Sequence, residues 1–173
     1  MFIEECNVNK AYLLLGSNRE PRFDFIMKAV HLIENGSGKV CDKSSIYESE
    51  PWGFRADTLF LNSVVLIETE RTAMDLLNEV LQIEKSLGRT HRGSGYASRN
   101  IDIDILYFND EIMELPGLII PHPRLHERRF TLEPLVEVAP EFIHPLLGKT
   151  NSELLAQVSD STEVRIFKTA KEL

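Results

Sequence analysis

Residues 99–108 read Arg-Asn-Ile-Asp-Ile-Asp-Ile-Leu-Tyr-Phe, and two of them, Asp102 and Asp104, are spaced to do chemistry. In an extended strand successive side chains alternate. Ile101, Ile103 and Ile105 therefore share one face while Asp102 and Asp104 share the other, with the two acidic Cα atoms roughly 6.6 Å apart. Aspartate is depleted in strands and neighbouring carboxylates repel, so the pair costs stability unless a cation bridges it. An all-oxygen donor pair suits Mg²⁺. Taken alone, an amphipathic strand that carries acids on its polar face explains the run equally well.

The preceding loop decides between these readings. Residues 88–99 gather Arg89, Arg92, Arg99 and His91 in a glycine-punctuated stretch, inside a chain whose formal net charge is -8. Arginine offers phosphate oxygens a planar, permanently charged fork. Acids for a divalent ion beside arginines for phosphate describe a site for a metal-bound polyphosphate. The chain has no GxxxxGK[ST] loop, so metal and arginine must replace the usual backbone cradle and lysine. Gly16-Ser17-Asn18 is too short to count as a nucleotide fingerprint.

At 173 residues, 43% hydrophobic and 27% charged, the chain is expected to form one domain spanning 1–173. Its core should cover about 10–158, leaving 159–173 as a tail without an assigned role. The acidic balance argues against a nucleic-acid partner, whose phosphates need a broad basic surface. There is no apolar run long enough for a membrane span, and the start of the chain, with Glu4 and Glu5, lacks an export pattern. A cytoplasmic protein is expected. Cys6 and Cys41 form no CxxC spacing and read as bystander thiols. Oligomeric state is left open between monomer and weak dimer.

The elements that must hold the acidic run follow from periodicity. Residues 10–16 read as a buried strand, and 21–34 as a helix with Phe25, Ile26, Ala29, Val30, Leu32 and Ile33 at helical spacing. Residues 43–49 and 59–69 read as strands joined by the loop 50–57, and 72–87 as a second helix closed by Gly88. The acidic strand comes next. Strand, helix, strand, strand, helix, strand is the βαββαβ order of an α+β ferredoxin-like core, with helices packed on an antiparallel sheet. A proline-rich segment at 115–123, a short helix over 128–138 and a helix starting near 151 read as C-terminal, mainly helical elaborations.

Several separated motifs resemble one family. They are residues 11–18 (AYLLLGSN), 60–62 (FLN), Glu84 with Gly88-Arg89, 99–105 (RNIDIDI), 121–130 (PHPRLHERRF) and Pro134-Leu135. In order and spacing they are similar to the 6-hydroxymethyl-7,8-dihydropterin pyrophosphokinases of folate biosynthesis, over about residues 11–145. The resemblance implies a ferredoxin-like fold and transfer of a diphosphate from ATP to the hydroxymethyl group of the pterin, releasing AMP. It implies two Mg²⁺ ions, bound with ATP, on Asp102 and Asp104, and Asp102, Asp104, Arg89 and Arg99 as the catalytic set. Nucleotide contacts carried over are Glu84, Arg89, His91, Arg92, Arg99, Ile105, His122 and Arg128. Pterin contacts carried over are Asn18, Ser49, Glu50, Trp52, Phe60, Asn62, Asp102 and Phe130.

Asn62 has weight of its own, because an amide inside an apolar strand is costly without a partner. Phe60 and Phe130 are by composition ordinary core residues, and only the motif makes them stacking partners. For Glu84 a solvated helix face is an equally good reading. Trp52 either caps the site or anchors its loop. His122 lies between Pro121 and Pro123, which stiffen its backbone, and no HExxH pattern points to zinc. Where the family more commonly carries arginines, the loop here has His91 and Gly95, and Tyr96 replaces a larger ring. His91 is only partly charged at neutral pH, so its phosphate contact should be weaker and pH-dependent. The rival functions are a metal-dependent phosphoesterase using the same acids, and a non-catalytic ferredoxin-like module for RNA or a metabolite.

Overall fold

A computed structural model describes residues 8–53, 58–88 and 100–173. The chain runs β1 (Asn9–Ser17), α1 (Arg22–Gly36), β2 (Lys39–Lys43), β3 (Ile46–Ser49), β4 (Phe60–Thr69), α2 (Ala73–Ser86) and β5 (Asp102–Phe108). A hairpin follows, β6 (Met113–Leu115) and β7 (Leu118–Ile120), then α3 (Arg129–Val138), α4 (Asn151–Gln157) and β8 (Val164–Lys168). The main sheet is ordered β5-β1-β4-β3-β8, with β2 also paired to β4. Each of these pairings is antiparallel. The ferredoxin-like α+β reading holds.

Two layers cover the sheet. On the first face Leu13, Leu15, Leu61, Val65, Ile103 and Ile105 meet Ile26, Ala29 and Ile33 of α1 and Leu76, Val80 and Ile83 of α2. The Thr72 side chain caps α2 by accepting from the Asp75 N–H at 3.2 Å. On the second face Tyr12, Leu14, Val64, Leu106 and Tyr107 meet Leu132 and Leu135 of α3 and Leu154 of α4. α4 opens on a full capping box between Thr150 and Glu153.

Three elements differ from expectation. The strand expected over 43–49 is two strands, β2 and β3. They are parted where Ser44 Oγ accepts from Val64 N at 2.9 Å and Ser45 N donates to Glu137 at 2.9 Å. The proline-rich segment contains the β6–β7 hairpin, turning at Pro116-Gly117 with Gly117 at φ +79°, a conformation that favours glycine. Beyond α4 the chain adds β8 to the main sheet beside β3, so the elaboration is not only helical. Among the described residues, no helix is long and apolar enough to cross a membrane.

Candidate active site

β5 behaves as its alternation requires. Ile101, Ile103 and Ile105 are at most 4% exposed in the first core, while Asp102 and Asp104 are half-buried on the second face. The register then builds a polar row across the sheet. Gly16 of β1 pairs with Asp102 on one side and with Asn62 of β4 on the other. With strands spaced about 4.8 Å apart, the Asp102 and Asn62 backbones stand roughly 10 Å from each other. Asn62 is buried and donates from Nδ2 to Ser49 Oγ at 3.0 Å. A Cβ at residue 16 would come within 3.3 Å of Asn62 Oδ1, so a glycine between the amide and the acid leaves both their places.

Glu84 corrects the solvated-face reading. It is 1% exposed, and its Oε1 accepts the Ile103 N–H at 2.8 Å. β5 is an edge strand. An edge N–H needs a partner, and a buried carboxylate needs a donor, so each satisfies the other. The bond falls between Asp102 and Asp104 and fixes the strand that carries them. The signal was legible, since Glu84 follows Leu77 by seven residues and Val80 by four, which puts it on the apolar stripe.

His122 is placed by an irregularity in β5. The register slips between Tyr12 and Leu13, leaving Leu106 as an extra residue outside the pairing. The Leu106 carbonyl accepts the His122 N–H at 2.9 Å. His122 Nδ1 accepts the Arg124 N–H at 3.2 Å, which assigns the ring proton to Nε2. Burial, helped by the charges of Arg128 and Arg124 and opposed by Asp102, pushes this imidazole down to about 4. At neutral pH His122 is an uncharged N–H donor.

Arg128 is buried, its guanidinium 4.8 Å from the centroid of Trp52 and 5.7 Å from that of Phe130. This draws the loop after β3 towards the start of α3. The other end of that loop is tied down as well. Asn18 Nδ2 donates to Thr58 Oγ1 at 3.4 Å, Thr58 Oγ1 donates to the Asn18 carbonyl at 2.6 Å, and Arg22 Nη1 donates to the Leu59 carbonyl at 3.0 Å. Phe60, half-buried, pairs with Ser49 at the start of β4. Glu50 is exposed.

The Ile105 side chain lies in the first core, so any contact it makes with a nucleotide runs through its backbone. Arg89, His91, Arg92 and Arg99 fall outside the described residues. Glu48, which sequence reasoning passed over, is 7% exposed and lies between Arg22, at 2.7 Å, and Arg165, at 2.6 Å. Burial opposes its ionisation, but the two guanidinium groups outweigh it and hold the carboxyl below its ordinary range.

Among the described residues, no group of three or more His, Cys, Asp or Glu could hold a metal. A pair of carboxylates is nevertheless what Mg²⁺ uses when substrate phosphates and water complete its shell. The donor set fits an ion that arrives with a nucleotide.

The model of the 7,8-dihydro-6-hydroxymethylpterin-pyrophosphokinase family matches residues 12–140. The 2-amino-4-hydroxy-6-hydroxymethyldihydropteridine pyrophosphokinase of Bacillus subtilis is 38% identical over 161 residues, covering 92% of this chain and 91% of its own. Its namesake in Aquifex aeolicus is 39% identical over 142 residues, covering 82% and 88%. Among solved structures, wild-type HPPK-DHPS from Plasmodium falciparum superposes with a TM-score of 0.70 at 19% identity, covering 90% of this chain. This chain spans only 45% of that longer one, and the likeness concerns the fold. With three quarters of its length matched by the family model and two relatives at 38–39% identity, covered over most of their own length, bearing one name, the chain belongs to the 7,8-dihydro-6-hydroxymethylpterin-pyrophosphokinase family.

Proposed function

We propose that the chain transfers a diphosphate from ATP to the hydroxymethyl group of 6-hydroxymethyl-7,8-dihydropterin and releases AMP, a step of folate biosynthesis. The observation that carries this reading is the row Asp102, Gly16, Asn62, which sets an acidic ridge and a buried amide on one sheet face. Phe60 stands two residues before this amide on the same face of β4, and the Trp52 and Phe130 rings lie against the Arg128 guanidinium. A flat heterocycle with a donor and acceptor edge suits the amide and rings, and its hydroxymethyl arm would reach towards the acids.

In the transfer the substrate hydroxyl oxygen bonds to the β-phosphorus and gives its proton to solvent, the bridge from that phosphorus to the α-phosphate breaks, and AMP leaves with the bridging oxygen. Asp102 and Asp104 would hold two Mg²⁺ ions, which would supply neutralisation of phosphate charge. Asp104 would also lie near the attacking hydroxyl, and Glu84 fixes the strand beneath both acids. Neutral His122 would donate its Nε2 proton to the nucleotide, while Arg89, Arg99 and Arg92 or His91 would take phosphate oxygens. Asn62 would read the heterocycle edge, with Asn18, Ser49 and Glu50 around it. We place the reaction in the cytoplasm, with no nucleic-acid or membrane partner; the net charge of -8 supports the former exclusion.

The test is AMP formation from ATP and Mg²⁺ with and without the hydroxymethyl pterin. AMP should appear only with the pterin, in equal amount to a pterin diphosphate identified by mass. Release of AMP from ATP alone would replace this reading with the phosphoesterase, and intact ATP in both mixtures would overturn it.

A further inference from the structure

The family match ends at residue 140, yet the chain beyond α4 touches both sides of the aromatic site. On one side lies the start of α3. Arg128 stands at the N-cap of this helix, where its side chain makes no capping hydrogen bond. Instead Asp160, 31 residues away in sequence, accepts the Arg129 N–H at 2.9 Å, between Arg128 and Phe130. Its other oxygen accepts the Thr162 N–H at 3.0 Å, which anchors the carboxylate to its own segment. A carboxylate on the first N–H groups of a helix is favoured by both hydrogen bonding and the helix dipole.

On the other side lies the end of β3. β8 pairs with it, Val164 opposite Ser49 and Arg165 opposite Glu48. Arg165 donates to Glu48 Oε2 through Nε at 3.0 Å and Nη2 at 2.6 Å. The far oxygen of Glu48 is taken by Arg22, which also holds the Leu59 carbonyl just before Phe60. Phe167 of β8 lies over the Arg22 guanidinium at 5.6 Å. One short segment is thereby bonded to the strand that leads into Trp52, to the brace behind Phe60, and to the backbone beside Phe130.

We infer that residues 158–168 are a positioning element for the heterocycle site, with Asp160 and Arg165 setting the separation of Phe130 from Trp52 and Phe60. The inference rests on the proposed pterin reading for its kinetic test, and on the structure alone for a second, substrate-free one. Arg165 is 62% exposed and Glu48 keeps Arg22 when it is lost, so Arg165→Met leaves the fold supported. Arg165→Met and Asp160→Ala should each raise the pterin KM about fivefold or more, with ATP KM and kcat within about twofold, because misplacing a binding wall weakens that ligand first. Arg165→Lys should recover most of the loss. Trp52 is the only tryptophan, so its emission reports the wall directly and should move to longer wavelength in both variants without any substrate. An unchanged pterin KM in both variants would overturn the inference. So would a joint change of kcat and both KM values that tracks a lower melting temperature. If the wild-type enzyme proves inactive with this pterin, the pterin reading fails, and unshifted Trp52 emission in the variants would then sink the positioning role independently.

Discussion

The two halves of β5 show what separates a site from a core. Both send side chains to the second face of the sheet, one half Asp102 and Asp104, the other Leu106 and Tyr107. The second half lies under α3 and α4. There Leu106 is 1% exposed, and Tyr107 is fully buried with its ring 4.5 Å from Phe142. The Tyr107 hydroxyl donates to Asn151 Oδ1 at 2.8 Å, and Asn151 donates on to the Ala139 carbonyl at 2.8 Å. The Tyr107 hydroxyl and the Asn151 amide are thereby matched. The first half lies beyond that cover, and there the strand keeps two carboxylates, a residue type depleted in strands. One strand thus spends its cover on packing and its uncovered end on chemistry.

Mutations should part the halves cleanly. Asp104→Asn should lower Mg²⁺-dependent AMP formation by on the order of 10²–10³-fold or more, since it removes charge stabilisation at the transferring group. Thermal melting of the same variant should change by only a few degrees, because Asp104 belongs to neither apolar core; a larger fall would break the contrast. Leu106→Ala, in the covered half, should do the reverse. It should cost about 2–5 kcal/mol by denaturant unfolding, with the pterin KM of the folded enzyme retained.

A pH titration sharpens the covered half further. His144 is 3% exposed and its Nδ1 accepts the N–H groups of Leu146 and Leu147 at 3.2 and 3.3 Å. Burial, helped by His126, pushes it down to about 4 from 6.5. Between those values the unfolded chain binds the proton and the folded one does not, so stability falls as pH drops from 6.5 towards 4. Unfolding free energies across this window should show the slope, and His144→Gln should remove its share while leaving that of His122, which is pushed down to the same value. The smallest effect is expected from Gly16→Ala, where the new Cβ at 3.3 Å from Asn62 Oδ1 asks a buried amide to yield by tenths of an ångström. The pterin KM should rise about threefold at a stability cost under about 1 kcal/mol; an ATP KM that rises instead would place the row wrongly.

How much of this the sequence revealed depends on how local each cause is. The β5 alternation needs only neighbours two apart, and it was plain in the isoleucines and aspartates. The Pro116-Gly117 turn is equally local, but composition marks 115–123 only as a proline-rich segment. The break between β2 and β3 depends on Glu137, which receives the Ser45 N–H and hydroxyl and the Tyr47 hydroxyl from about 90 residues away. No window around Ser44 contains that. β8 was hidden for the same reason, since its chief support is Glu48, 117 residues earlier. Glu84 sat on a readable stripe, yet its partner is a backbone N–H, which leaves no mark in residue types. The motifs at 60–62 and 121–130 point to heterocycle contacts only through family likeness.

The extra residue at Leu106 has a consequence for how this strand can change length. Elsewhere in β5 a deletion would invert the faces, turning the acids inward and the isoleucines out. At Leu106 a deletion would restore plain alternation, leaving Ile105 and Phe108 on the inner side and Tyr107 on the outer. The core would survive, but the carbonyl that moors His122 would be gone. A chain shortened by that single position should therefore fold with its layers intact and grip nucleotide less firmly, making residue 106 the one place in the strand where an indel trades ligand affinity without scrambling the interior.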